Sequence, residues 1–113
     1  MIGLEHFLVL SAVIFVIGLY GALTKTNIIS ILMCIELMFN GVLIAMVALS
    51  RWVAPARLAA TDEAARLALT GQVFAIFIIA VAAAEVALGL GIIMAIYRAR
   101  GTVNITRINL MKR

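Results

Sequence analysis

Three long apolar runs dictate most of what this chain can fold into. They cover residues 7–23, 28–49 and 73–97, and the first holds 17 residues without a charge. A helix crosses the hydrocarbon of a bilayer with about 17–25 apolar residues. No water is at hand in lipid to pair with the backbone, so a span satisfies its own N–H and C=O groups as a helix. The expected fold is therefore all-α, an integral membrane bundle of three transmembrane helices. Hydrophobic residues make up 66% of the 113, well above the roughly half found in soluble domains. That proportion fits a single membrane domain over 1–113, with a basic tail over 98–113 and no separate soluble domain.

The connections set the topology. Lys25-Thr26-Asn27 is the only break between the first two runs, so short that they form an antiparallel hairpin. The link from Arg51 to Thr70 is longer. Trp52 beside Arg51 is an interfacial anchor, and Pro55 is expected to stop the second helix. Thr61-Asp62-Glu63 looks like a new helix start with acids in its first turn. Arg66 follows Asp62 and Glu63 at the spacing of local ion pairs, and this turn can run straight into the third span. Lys25, Arg98, Arg100, Arg107, Lys112 and Arg113 fall on one side of the bilayer with no acid among them. On the other side Arg51, Arg57 and Arg66 stand against Glu5, Asp62 and Glu63. The positive-inside rule then puts the Lys25 loop and the tail in the cytoplasm and the N-terminus outside.

Small residues mark where helices come close. Gly18 and Ala22, with Gly21 beside them, and Gly41 with Ala45 form small-xxx-small surfaces. Ala80, Ala84, Ala87 and Gly91 line one side of the third run, and Gly89 lies one turn beyond Glu85. Ser11 is expected to bond back to its own helix backbone. His6 reads as an interfacial polar residue and Cys34 as a packing residue with no internal disulfide partner. With Glu5 and His6 where a secretory signal carries Lys or Arg, the first run reads as a span rather than a signal.

Several functions are disfavoured. The sequence has no Gly-rich phosphate loop, no clustered metal ligands and no nucleophile–base pair, so no catalytic residue, metal site or bound cofactor is expected in this chain. The formal charge of +4 is spread between long apolar tracts, which fits topology and not nucleic acid.

What remains is two acids where acids are costly. Glu36 is the sole charge in run 28–49, and Glu85 is the sole charge in run 73–97. A charge at the bilayer centre costs roughly 2.5–3.5 kcal/mol on insertion scales. Desolvation penalises the ionised form of a carboxyl group, so such a group can stand neutral and exchange its proton as its surroundings change. Asn40 lies four residues after Glu36 and shares its face, as does Met33 three residues before it. Glu36 stands roughly 12 Å along its helix from the Lys25 loop and Glu85 roughly 18 Å from Tyr97, on the same side. Their depths thus differ by about 6 Å, within the play of helix tilt. Two such acids read as stations of a proton relay; the alternative is a hydrogen bond that glues helices together. Three helices cannot enclose a gated path, so partner subunits in the membrane are expected.

Leu32-Met33-Cys34-Ile35-Glu36-Leu37-Met38-Phe39-Asn40-Gly41 and Ala82-Ala83-Ala84-Glu85-Val86-Ala87-Leu88-Gly89-Leu90 closely resemble one family. It is the K-subunit family of respiratory complex I, the small three-helix subunits of proton-pumping NADH–quinone oxidoreductase, called 4L in mitochondria. The resemblance covers nearly the whole chain, and the two glutamate motifs are specific together though weak apart. It implies that Glu36 and Glu85 belong to a proton axis, with Glu36 the more critical. Lys25 matches a basic loop position, although Thr26 follows it where some relatives carry a second basic residue; Asn40 is a further supporting candidate. The resemblance also implies that flavin, iron–sulfur clusters and quinone sit in other subunits. Antiporter-like and quinone-site-proximal subunits are then its neighbours, in a bacterial inner membrane rather than an organellar one. The alternatives are the small subunit of a multisubunit cation–proton antiporter, or a structural assembly subunit.

Overall fold

The computed structural model describes residues 2–57 and 62–108, and the side chains of these apart from 53–57, 63–65, 67 and 68. Three helices follow in order, α1 (Leu4–Thr24), α2 (Ile28–Arg57) and α3 (Asp62–Arg100), with a short 3-10 turn at Ile105–Arg107. Each holds a stretch long and apolar enough to cross a membrane: Leu4–Thr24, Ile28–Trp52 and Leu69–Arg100. The chain is all-α as expected.

The helix ends follow local chemistry. The Gly3 N–H donates to His6 Nδ1 at 3.2 Å, so His6 caps the start of α1. At its far end Lys25 N–H still reaches Gly21 O at 3.0 Å, and the chain then turns extended at Lys25. Asn27 Oδ1 accepts from Ile29 N–H at 2.9 Å and Ser30 N–H at 3.4 Å, which caps the start of α2. The two caps produce the tight hairpin.

Two expectations about the second connection meet different ends. Pro55 does not stop α2, which continues through it to Arg57. A proline removes one N–H from the helical ladder, and so near the helix end that loss is tolerated. The start expected at the acids falls at the edge of the described residues: α3 is described from Asp62 and runs 39 residues without interruption into the third span, roughly 58 Å at helical rise. Thr61, the side chain of Glu63 as a partner for Arg66, and the tail cations Lys112 and Arg113 lie outside the described residues.

Helix α2 is the centre of the bundle and packs against both α1 and α3. Contact with α1 depends on missing side chains. A Cβ on Gly18 would lie 2.7 Å from Cys34 O, and one on Gly41 would lie 3.0 Å from Ser11 O. This closeness overturns the expectation for Ser11. Its Oγ does not bond to its own helix; it crosses to α2 and donates to Gly41 O at 2.5 Å. Ser11 is buried, and in lipid such a bond ties helices without exposing a polar group.

The α3 face that meets α2 is made of Gly71, Ala75, Ala82, Gly89 and Ile93, of which Ala75, Ala82 and Ile93 are buried. The small residues singled out on α3 lie elsewhere: Ala80, Ala84, Ala87 and Gly91 are all exposed, and a Cβ on Gly91 would meet nothing within 4 Å. After Gly101, at φ 68°, the chain doubles back to the α1–α2 loop. Ile28 N–H donates to Val103 O and Ile105 N–H donates to Thr26 O, both at 2.9 Å, so the tail straps the hairpin. The loop and the tail therefore share one end of the bundle.

Candidate functional site: two carboxylates at one level

Glu36 and Glu85 lie on neighbouring antiparallel helices, and two contacts fix their register. A Cβ on Gly89 would lie 3.1 Å from Leu32 Cδ1, and one on Gly71 would run into Ser50 Cβ. Leu32 is four residues before Glu36, and Gly89 is four after Glu85. Ser50 is fourteen residues after Glu36, and Gly71 is fourteen before Glu85. Both contacts give the same pairing, so Glu36 and Glu85 stand level across the α2–α3 seam. The depth difference expected from counting along each span disappears, because counting assigned α2 and α3 starting points that the packing does not share.

Level does not mean face to face. Successive residues turn about 100° around a helix, so Leu32 and Ser50 share one line on α2, and Glu36 is about 40° from it, towards Asn40 and Met33. Gly71 and Gly89 share one line on α3, and Glu85 is about 40° from that line on the side of Ile92. Ile92 lines a groove in the seam with Ile28, Ile31 and Ile35, which lie across the α2 contact line from Glu36. The two carboxylates thus leave the seam on opposite sides. Glu36 is half-buried, whereas Glu85, Asn40 and Met33 are exposed on the isolated chain.

The third helix backs this arrangement. Gly18 of α1 lies against Cys34 and Met38, the residues two before and two after Glu36. The turn of α2 that carries Glu36 is therefore one of the places where α1 lies close against it. Among the described residues the side-chain hydrogen bonds are donated by groups such as Ser11, Thr24, Ser50 and Thr70 or accepted by Asn27 and Asn104, and none holds Glu36 or Glu85. Among the described residues, then, no side-chain hydrogen bond joins either acid to another helix.

Lys25 is not brought to the acids. It is exposed at the end of α1, in the loop that the tail covers, while Asn40 stays one turn from Glu36 on the same side. Sequence reasoning missed the strap, whose signal is only Gly101 after a helix and a polar run behind it. It also missed the contact of Phe7 with Trp52, whose rings lie 5.2 Å apart and join the start of α1 to the end of α2.

Three spans with two level acids and an outer surface of exposed apolar side chains define a multi-pass membrane subunit built to sit among others. A family model described as NADH-ubiquinone/plastoquinone oxidoreductase chain 4L matches residues 6–113. NADH-quinone oxidoreductase subunit K of Geobacillus sp. (strain WCH70) is 48% identical over 98% of this chain and 96% of that protein. The chloroplastic NAD(P)H-quinone oxidoreductase subunit 4L of Staurastrum punctulatum is 48% identical, over 96% of this chain and 98% of its own length. Subunit K of Cereibacter sphaeroides is 44% identical over 99% of both. The chain belongs to this family, the subunit K or chain 4L family of the NADH-quinone oxidoreductases.

Proposed function

We propose that Glu36 and Glu85 pass protons across the α2–α3 seam, and that this transfer couples quinone reduction to proton pumping. Family membership makes the chain a small membrane subunit of an NADH-quinone oxidoreductase complex, with other subunits of that complex as its partners. The observation that carries the proton reading is the register: Glu36 and Glu85, the acids within the apolar runs 28–49 and 73–97, stand level and open to opposite sides. The two side chains leave the seam on opposite sides and do not face one another, so water completes the link.

A change of charge in a neighbouring subunit on the Glu36 side alters which form of Glu36 is favoured. Its proton then crosses to Glu85, which faces a second neighbour. Asn40, one turn from Glu36, offers a carboxamide that can donate or accept along this path. Lys25 acts from the loop as an electrostatic and topological anchor. The neighbours are antiporter-like and quinone-site-proximal subunits, in a bacterial inner membrane with the Lys25 loop and the tail in the cytoplasm.

In this reading the chain acts as a non-redox subunit, and the redox chemistry lies elsewhere in the complex. An iron–sulfur cluster takes several cysteine thiolates, and this chain has one cysteine. Among the described residues no group of three or more His, Cys, Asp or Glu could hold a metal ion. With one cysteine the donor set does not fit such a cluster, and we assign the flavin, the clusters and the quinone to other subunits.

The test is Glu36→Gln in membranes, with assembly checked in parallel. A carboxamide keeps the shape and the hydrogen bonding but cannot release a proton. The expected result is an assembled complex whose quinone reduction and pumping fall by about tenfold or more, equivalent to about 1.4 kcal/mol. An assembled complex with near-normal rates removes Glu36 from the path.

A further inference from the structure

At the end of the bundle away from the Lys25 loop, a groove of about 430 Å³ lies between the start of α1 and the last turns of α2. Phe7, Ile44, Val47 and Ala48 line it, and Arg51 and Trp52 stand at its mouth. The Arg51 guanidinium carbon lies 5.5 Å from the centre of the Trp52 ring, a cation–π arrangement that steadies an otherwise mobile side chain. The apolar span of α2 ends at Trp52, so Arg51 sits where hydrocarbon gives way to headgroups. Ile44 is seven residues earlier, roughly 10 Å deeper along the helix. Glu5, the acid at this end of α1, faces a separate hollow with His6 and Val9.

We propose that this groove holds an acyl chain of an anionic phospholipid, with the lipid phosphate on Arg51. The lining is apolar along its length, which suits a hydrocarbon tail and not a file of water. Among the described residues its one charge is a guanidinium at headgroup depth, whose planar donors match phosphate oxygens in pairs. An apolar packing helix from another subunit would fill the slot and bring no anion to Arg51. A zwitterionic lipid carries its own ammonium group and neutralises Arg51 less well.

The experiment uses the intact complex in lipid nanodiscs doped with phosphatidylglycerol bearing a photoactivatable acyl chain, or with the matching phosphatidylcholine. Peptides containing Phe7 and residues 44–52 are read for label. The expected preference for phosphatidylglycerol is about fivefold, the factor that about 1 kcal/mol per arginine at a charged surface corresponds to. Arg51→Gln should abolish the preference, and Ala48→Leu, which fills the slot, should lower labelling by both probes. Equal labelling of the wild-type groove by both lipids overturns the proposal. So does an unlabelled groove whose residues cross-link to a neighbouring subunit. The wild-type contrast decides the matter even where a variant fails to assemble.

Discussion

Gly18 and Gly21 lie on the same helix, three residues apart, and both face Cys34, yet replacing them with alanine should have different consequences. A methyl on Gly18 meets Cys34 O at 2.7 Å, Met38 Cγ at 2.7 Å and Met38 N at 3.0 Å. The methionine side chain can swing away, but the two backbone atoms cannot. A carbon and a carbonyl oxygen need about 3.3 Å, so α1 and α2 must part by roughly half an ångström. A methyl on Gly21 meets only the Cys34 side chain, its Sγ closely and its Cβ at 3.5 Å. Overpacking costs about 1–3 kcal/mol, while glycine to alanine returns up to about 1 kcal/mol of helix propensity. Gly18→Ala should therefore lose about 1–2 kcal/mol, and Gly21→Ala should stay within about 1 kcal/mol of wild type. The assay is a detergent titration of the intact complex, followed by the midpoint at which this subunit is released. Because Cys34 and Met38 flank Glu36, quinone reduction should fall with Gly18→Ala and not with Gly21→Ala. Cys34→Ala should cancel what remains of the Gly21→Ala effect, and Met38→Ala should leave most of the Gly18→Ala effect in place. Full rescue of Gly18→Ala by Met38→Ala would refute the view that backbone atoms set this contact.

Other perturbations follow from the same geometry. Ser11→Ala removes the bond to Gly41 O and should cost about 0.6 kcal/mol and no more than about 1.7 kcal/mol, the range found for such bonds in membranes, read in the same titration. Gly71→Ala drives a methyl into Ser50 and should lower the release midpoint, while adding Ser50→Gly should restore it. Asn27→Ala removes the cap of α2 and should cost about 1 kcal/mol, with faster amide exchange at Ile29 and Ser30. Glu85→Gln should assemble and lower pumping as Glu36→Gln does; unchanged pumping would take Glu85 out of the path.

The spans were legible because lipid allows so few solutions: an uncharged run of sufficient length has to be a helix. The hairpin was legible for a similar reason, since its short polar segment carries in Asn27 the cap of the next helix. The register of the acids was not. It depends on which residues of α2 and α3 touch, and Gly71, Gly89, Leu32 and Ser50 carry no signal that names their partners. Ser11 misled because a serine in a helix has its own backbone within reach, and only the closeness given by Gly41 makes the other helix a better acceptor. The exposed line of Ala80, Ala84, Ala87 and Gly91 shows the same limit: composition marks a surface made for close approach, but not the helix that approaches.

The strap at the tail bears on how the molecule is made. Thr26 and Ile105, joined by one backbone hydrogen bond, are 79 positions apart in the chain. The first two helices can enter the bilayer while the ribosome is still working, but their loop stays open until the last segment emerges. Only a chain whose third helix has crossed in the right direction can deliver Val103 and Ile105 to Thr26 and Ile28. The buckle therefore closes only where the third helix has crossed the bilayer and brought the tail to the side of the first loop.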